Sequence, residues 1–212
     1  MILRARDIRK RFENRAVLSG VSLSIEPGEV VLLSGANGSG KTTLARILST
    51  LLPPDDGEVT LDDEPVTDRR ALVRRRIGFT THVPLLYRGL TPVENLVFFG
   101  RLAGVPDPGL RAVDLLTRFG LREAMHRPVV HFSRGMLQRV VLCRALLHDP
   151  GILIFDEPYA GLDEEGVAAV NGVLREARAS GRSALVIAHG KERAQPVVTR
   201  VVRLREGRIE AA

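Results

Sequence analysis

A single cysteine, Cys143, stands among the 212 residues, so no internal disulfide can form. It lies within Val140-Val141-Leu142-Cys143-Arg144-Ala145-Leu146 and reads as the core of a helix. Long hydrophobic runs are missing too: runs such as Val30 to Leu33 and Ile152 to Phe155 fall far short of the ~20 residues that cross a bilayer. Met1-Ile2-Leu3-Arg4-Ala5-Arg6 lacks the apolar core of a secretory signal, so the expectation is a protein made and kept in the cytoplasm. Lysine is scarce. Lys10, Lys41 and Lys191 are the only three, and the net charge of +6 is almost wholly arginine. Such a balance fits nucleic acid, anionic lipid or no specific partner. No interleaving of aromatic and basic residues of the single-strand-binding kind occurs, so nucleic acid is not expected. The densest cluster, Asp68 to Arg76, reads as a helix with a solvated outer face, which beside a membrane would also meet acidic head groups. There is no repeat, low-complexity tract or long linker.

What is present is a phosphate-binding loop. Gly35-Ala36-Asn37-Gly38-Ser39-Gly40-Lys41-Thr42-Thr43 fits G-x-x-x-x-G-K-[ST], with a buried strand over Glu29 to Leu33 before it and a helix over Thr43 to Leu51 after it. The glycines let backbone N–H groups turn around phosphate oxygens, and the helix N-terminus adds its dipole. Lys41 reaches the terminal phosphates and Thr42 can ligate Mg²⁺. A glycine-rich turn that merely precedes a helix is the plain alternative, and the strand–loop–helix context argues against it.

Far downstream, Gly151-Ile152-Leu153-Ile154-Phe155-Asp156-Glu157-Pro158 is an apolar strand ending in two carboxylates, the edge where ligands gather in open α/β sheets. Asp156 can hold Mg²⁺ through its water shell, and Glu157 is placed to polarise an attacking water. The same acids would also suit a helix N-cap. Around these motifs, Val21 to Ile25 and Glu29 to Leu33 flank the turn Glu26-Pro27-Gly28 and read as a β-rich lobe, with Glu58 to Leu61 another short strand. From about Pro84 to Arg139 the pattern is helical: Thr91-Pro92 starts one helix and Pro108-Gly109 a second, which Gly120 ends. The last helix, Glu164 to Ser180, carries Val167, Val170 and Leu174 on one face. With 44% hydrophobic residues the chain can bury one sizeable core plus a small lobe.

Three further segments follow in a telling order: Phe132-Ser133-Arg134-Gly135-Met136-Leu137-Gln138-Arg139, then Ala160-Gly161-Leu162-Asp163, then Leu185-Val186-Ile187-Ala188-His189. With the two earlier motifs they make the chain resemble, over essentially its whole length, the nucleotide-binding subunit of an ATP-binding cassette (ABC) transporter. The resemblance implies an α/β fold with a P-loop NTPase core of ABC type, an antiparallel β lobe and an inserted α-helical subdomain. That places core and lobe in 1–83 and 140–212, and the helical subdomain at about 84–139. It implies ATP and Mg²⁺ as ligands and two copies sandwiching two ATP molecules head to tail. Ser133 and Gly135 then touch the γ-phosphate held by the second subunit, Asp163 is the dimer-interface aspartate, and His189 is the switch residue at the γ-phosphate and attacking water. A Ser133 N-cap opening the helix Arg134 to Leu147 is itself a ready anion site. Phe12 stands where the family has an aromatic that stacks on adenine, although a phenylalanine between strands also reads as core.

Two departures stand out. His82, in Thr81-His82-Val83, occupies the place of a glutamine that senses Mg²⁺ and the attacking water. Arg134 and Met136 replace the first glycine and the glutamine of the signature Leu-Ser-Gly-Gly-Gln. Within the family, the wording Ser133 to Arg139, Thr81-His82, Leu85-Leu86-Tyr87, Leu90-Thr91 and Glu94-Asn95-Leu96 is similar to the small cassette of the cytochrome c biogenesis system, the haem exporter. The alternatives are the ATPase of another ABC exporter for a drug, lipid or peptide, and a soluble cassette acting as an assembly or nucleic-acid-bound switch. The transporter reading implies integral membrane permease subunits as partners, docked beside His82 to Leu90, and a peripheral place on the inner face of the cell membrane. Pro84-Leu85-Leu86-Tyr87 reads equally as docking surface or as helical-lobe core.

Overall fold

A computed structural model describes residues 1–81, 83–188, 194 and 196–210. β1 (Leu3–Phe12) and β2 (Arg15–Ile25) form an antiparallel hairpin around the two-residue turn Glu13-Asn14, with Phe12 opposite Arg15. After β2, Gly28 takes φ 73° and the Glu29 N–H donates to the Glu26 carbonyl, closing the expected turn. The next strand, β3 (Val30–Ser34), does not stay with the hairpin, although the sequence had grouped it with the early β lobe. It joins a second, mainly parallel sheet. Val30-Val31-Leu32-Leu33 is apolar at every position, and only a sheet covered on both faces buries such a run.

The antiparallel sheet is completed by β4 (Asp56–Leu61) and β5 (Glu64–Pro65), in the order β2-β1-β4-β5. The central sheet adds β6 (Ile77–Thr80), β7 (Ile152–Asp156), β8 (Ser183–Ile187), β9 (Arg200–Arg205) and the hairpin partner β10 (Arg208–Ile209), in the order β10-β9-β3-β8-β7-β6. Side-chain alternation along its strands separates two cores. Val30, Leu32, Leu153, Phe155, Ala184 and Val186 face one; Val31, Leu33, Ile152, Ile154, Leu185 and Ile187 face the other.

The second core also takes the apolar face of α1 (Lys41–Leu48) and the inner face of the antiparallel sheet. The first core takes buried residues of α3 (Pro92–Ala103), α4 (Pro108–Arg118), α5 (Arg134–Leu146) and α6 (Glu164–Ala179). Between β5 and β6 the arginine cluster makes only a 3₁₀ turn, Thr67–Arg69, and the short α2 (Arg70–Arg74). The helix expected over Asp68 to Arg76 is thus cut short, because the Arg76 carbonyl turns away to accept the Gly151 and Ile152 N–H groups at the start of β7. Cys143 is buried in α5, and burial pushes its thiol pKa up. Among the described residues no helix is long and apolar enough to cross a membrane.

α3 begins as the sequence indicates. Thr91 and Glu94 form a reciprocal capping box with Pro92 in the first turn. One turn in, the fully buried Asn95 accepts the Tyr87 N–H at 2.8 Å and donates to the carbonyls of Tyr87 at 3.1 Å and Thr91 at 3.0 Å, pinning the preceding loop to the helix. The same loop is held from α5, where Arg144 donates to the carbonyls of Pro84 at 3.0 Å and Leu85 at 2.7 Å and lies 5.1 Å from the Phe99 ring centroid. Asn95→Leu keeps the branched side-chain shape but strands the Tyr87 amide, and should cost on the order of 2–3 kcal/mol. A urea unfolding midpoint equal to that of the unaltered protein would contradict this role.

Candidate nucleotide site

β3 delivers the chain at Gly35, and α1 starts at Lys41, two residues before the expected Thr43, because Gly40 at φ 104° closes the loop as its N-cap. A Cβ on Gly40 would stand 2.8 Å from Leu18 Cδ2 and 2.9 Å from the Val17 carbonyl oxygen, so strand β2 presses directly on the loop. The helix ends at Leu48 rather than Leu51, where Thr50 turns to φ 60° and the Leu51 and Leu52 N–H groups fold back on the Arg46 carbonyl.

Lys41 is buried, and its ammonium donates to the carbonyls of Gly35 at 2.8 Å and Ala36 at 2.9 Å, bracing the loop across its width. Thr42 Oγ1 donates to Asp156 Oδ2 at 2.8 Å, joining the start of α1 to the end of β7. Asp156 is buried, and its N–H donates to Thr80 Oγ1 at 3.1 Å, which fixes it against β6. Glu157 follows at φ 52°, with its N–H bonded to the Ile187 carbonyl at 2.8 Å. Such a left-handed turn stores strain of the kind found at functional sites.

These groups converge on a cavity of about 410 Å³. It is lined by Phe12, Arg15 and Val17 of the antiparallel sheet, by Asn37, Gly38, Gly40, Lys41, Thr42 and Thr43 of the loop and helix start, and by Asp156, Glu157 and Ile187 at strand ends. Gly35 and Ala36 serve from behind through their carbonyls. The hydroxyl of Ser39 is buried with no hydrogen-bond partner among the described residues. Phe12 is not core: it is exposed and lines the cavity, with Lys10 Nζ 5.8 Å from its ring centroid. Lys10 is held by Asp55 at 2.5 Å, and that hydrogen bond keeps the Asp55 carboxyl below its usual pKa. Hard oxygens of Thr42 and Asp156, adjacent on the cavity wall, suit Mg²⁺. His82 and His189 lie outside the described residues.

Ser133, Gly135 and Asp163 do not line this cavity. Ser133 caps α5 by accepting the Met136 N–H at 3.3 Å. Gly135 packs against Gly161 so closely that any Cβ would run into the Gly161 carbonyl oxygen. Asp163 caps α6 by accepting the Gly166 N–H at 2.8 Å and pairs with the buried Arg139, which also donates to the Phe119 carbonyl at 2.9 Å. The Gly166 N–H, with help from Arg139, holds the Asp163 carboxyl below its ordinary pKa. Gln138, which sequence reasoning passed over, donates to the carbonyls of Glu157 at 3.3 Å and Pro158 at 3.4 Å, tying α5 to the acidic strand end. Arg15, Val17 and Ile187 were missed as lining residues, Arg15 and Val17 because β2 begins six residues before the strand read over Val21 to Ile25.

A phosphate loop at the end of a parallel strand, facing a threonine–aspartate pair and an acidic turn, defines a nucleoside-triphosphate hydrolase. Residues 18–160 match the family described as ABC transporter, and the chain belongs to that family. It is 37% identical over 210 residues to the ABC transporter ATP-binding protein NatA of Bacillus subtilis, covering 96% of this chain and 85% of NatA. It is 36% identical over 205 residues to the Nod factor export ATP-binding protein I of Burkholderia lata, covering 96% of this chain and 67% of that protein. The fold superposes with a TM-score of 0.87 and 26% identity on a dimeric ATP-binding cassette in a post-hydrolysis state bound to ADP and Pi, covering 99% and 97% of the two chains. The protein is an ATP-hydrolysing cassette.

Because Lys41 both braces the loop and supplies the buried positive charge of the cavity, Lys41→Ala should weaken ATP binding by about 10- to 100-fold, the range of one charge-assisted contact. Titration calorimetry with ATP checks this, and unchanged affinity would remove Lys41 from the site.

Proposed function

We propose that the chain is the ATP-driven engine of an exporter, working as a head-to-tail homodimer beside separate membrane subunits. The observation that carries this reading is the split between the cavity and the signature residues. Phosphate loop, Thr42, Asp156 and Glu157 meet in one cavity, while Ser133 and Gly135 stand apart from it at the start of α5. A second copy facing the first would bring its Ser133 hydroxyl and α5 N-terminus to the γ-phosphate. The dimeric state of the ADP- and Pi-bound relative supports a working dimer.

In the closed dimer Lys41 neutralises the terminal phosphates and Glu157 takes the proton of the attacking water. Thr42 and Asp156 would hold Mg²⁺, which would supply charge to neutralise the phosphate oxygens. His189, next in chain order after Ile187 and Ala188, is assigned the γ-phosphate switch, and His82 the coupling position, from their order in the sequence. Residues of about 84–139, as a helical subdomain, carry the signature toward the partner, and 1–83 with 140–212 hold the nucleotide.

Motion has to leave through another protein. The loop before α3 and the face of α3 expose Leu85, Tyr87, Phe98 and Leu102, while Leu86 packs inward on the core. Tyr87 and Phe98 meet edge to face at 5.0 Å. This apolar surface fits a membrane subunit's cytoplasmic segment, and a peripheral place on the inner face of the membrane follows. The names of NatA and the Nod factor export protein support a transporter, the latter an exporter. Haem export rests only on the wording around Ser133 to Arg139 and Thr81-His82. Complementation tests it: a haem cassette should restore cytochrome c maturation in a strain lacking its own, and failure restricts the function to other cargo.

The chemistry is tested by Glu157→Gln, which should retain ATP binding, lose about 10²–10⁴-fold in turnover and accumulate closed dimers on size exclusion with ATP. For the shared site, Ser133→Arg should bind ATP as a monomer but not close. Mixed with Lys41→Ala subunits it forms dimers in which both lesions fall on one composite site, leaving the other whole. That mixture should hydrolyse ATP faster than either variant alone. Full turnover by Ser133→Arg that stays monomeric would refute the shared site.

A further inference from the structure

We propose that Arg15 is a nucleotide-binding residue that pairs with the α-phosphate of the bound nucleotide. The proposal rests on the ATP-cassette reading of the cavity and adds a second cation to it.

β2 runs along the cavity from its aromatic end to its phosphate end. At one end Phe12 and Arg15 are register partners across the Glu13-Asn14 turn, and partners directly opposite in an antiparallel pair project to the same face. At the other end, beyond a register shift between the Arg11–Ala16 and Lys10–Leu18 pairs, Val17 reaches the phosphate loop, where its carbonyl and Cγ1 crowd the position of a Gly40 Cβ at 2.9 and 3.3 Å. All three side chains line the cavity. A nucleotide whose terminal phosphates lie in the loop and whose base lies on Phe12 therefore carries its ribose and first phosphate past Arg15.

Electrostatics agree with that place. The neighbouring cations are committed elsewhere: Lys10 to Asp55, and Lys41 to two loop carbonyls as well as the terminal phosphates. Arg15 is exposed, has no ion pair or hydrogen bond among the described residues, and faces a cavity that includes two carboxylates, those of Asp156 and Glu157, at its far end. A guanidinium is weakly hydrated and matches phosphate oxygens with two parallel donors, so it gives up little on leaving water for this contact.

The contact predicts a pattern across ligands. ADP and ATP both carry the α-phosphate, and so do GDP and GTP. Arg15→Ala should raise the dissociation constants of ADP and ATP by the same factor, about 5- to 20-fold, and those of GDP and GTP alike, while flattening their salt dependence. Arg15→Lys, which keeps the charge but not the paired donors, should recover only part of the loss and Arg15→Gln none. Titration calorimetry on the full chain, with thermal melts to confirm folding of these surface variants, reads all of this. Unchanged ADP affinity in Arg15→Ala overturns the proposal. A loss confined to the triphosphates also overturns it by moving the side chain to the γ-phosphate, as does a loss confined to one purine, which would move it to the base edge. If the unaltered protein binds neither ADP nor ATP, the nucleotide-site reading itself falls; if it binds both and only the Arg15 variants are silent, that reading stands and this one fails.

Discussion

Strands β3, β8 and β7 are buried on both faces along most of their length, and that single constraint arranges the rest of the molecule. No polar side chain fits in their middles, so chemistry is confined to their ends. Because they run parallel, those ends share one edge. The phosphate loop leaves β3 there, Asp156 closes β7 there, and Ile187 ends β8 between them. The Thr42–Asp156 hydrogen bond is the visible result: two residues far apart in sequence meet because the hydrophobic pattern leaves them nowhere else to be.

A second organising contact lies outside the cavity. Gly135 at the start of α5 and Gly161 in the turn before α6 approach closely, and Arg134 lays its aliphatic stem over Gly161. Arg139, one turn further along α5, reaches both the end of α4 and Asp163. Gln138 grips the backbone just beyond Glu157. Signature, acidic turn and the following Asp163 cap are therefore tied to one another through α5 without any contact to the nucleotide cavity.

Much of this was legible from residues alone. The loop pattern, the double-acid strand end and the helix start at Thr91-Pro92 each have a local chemical cause, and each appears where its cause put it. Strand β3 was read correctly as a strand but placed in the wrong sheet, since an apolar run announces burial and not which neighbours supply it. The ends of α1 were misplaced because a left-handed Gly40 and Thr50 decide them, and propensity carries no record of φ. Phe12 illustrates the remaining gap. The resemblance put an adenine-stacking aromatic there while its place between strands also fitted core, and only the hairpin that sets Phe12 beside Arg15 shows it exposed on the cavity wall. Gln138 and Arg144 gave no signal at all, because their partners are backbone carbonyls, which every residue has.

The partners chosen by those two kinds of contact respond differently to acid. Arg144 binds carbonyl oxygens and an aromatic face, and although burial lowers its pKa, a guanidinium does not lose its proton within the range proteins meet. The tie between α5 and the loop before α3 thus has no titrating member. Beneath Phe12 the support is a carboxylate: Asp55 keeps a depressed pKa while paired with Lys10, so its contribution is complete above the ordinary aspartate range and fades as pH falls through the folded value. Only acid strong enough to protonate Asp55, below the ordinary aspartate range, therefore loosens the aromatic rim of the nucleotide cavity, and even there the tie between α5 and the loop before α3 stays fastened.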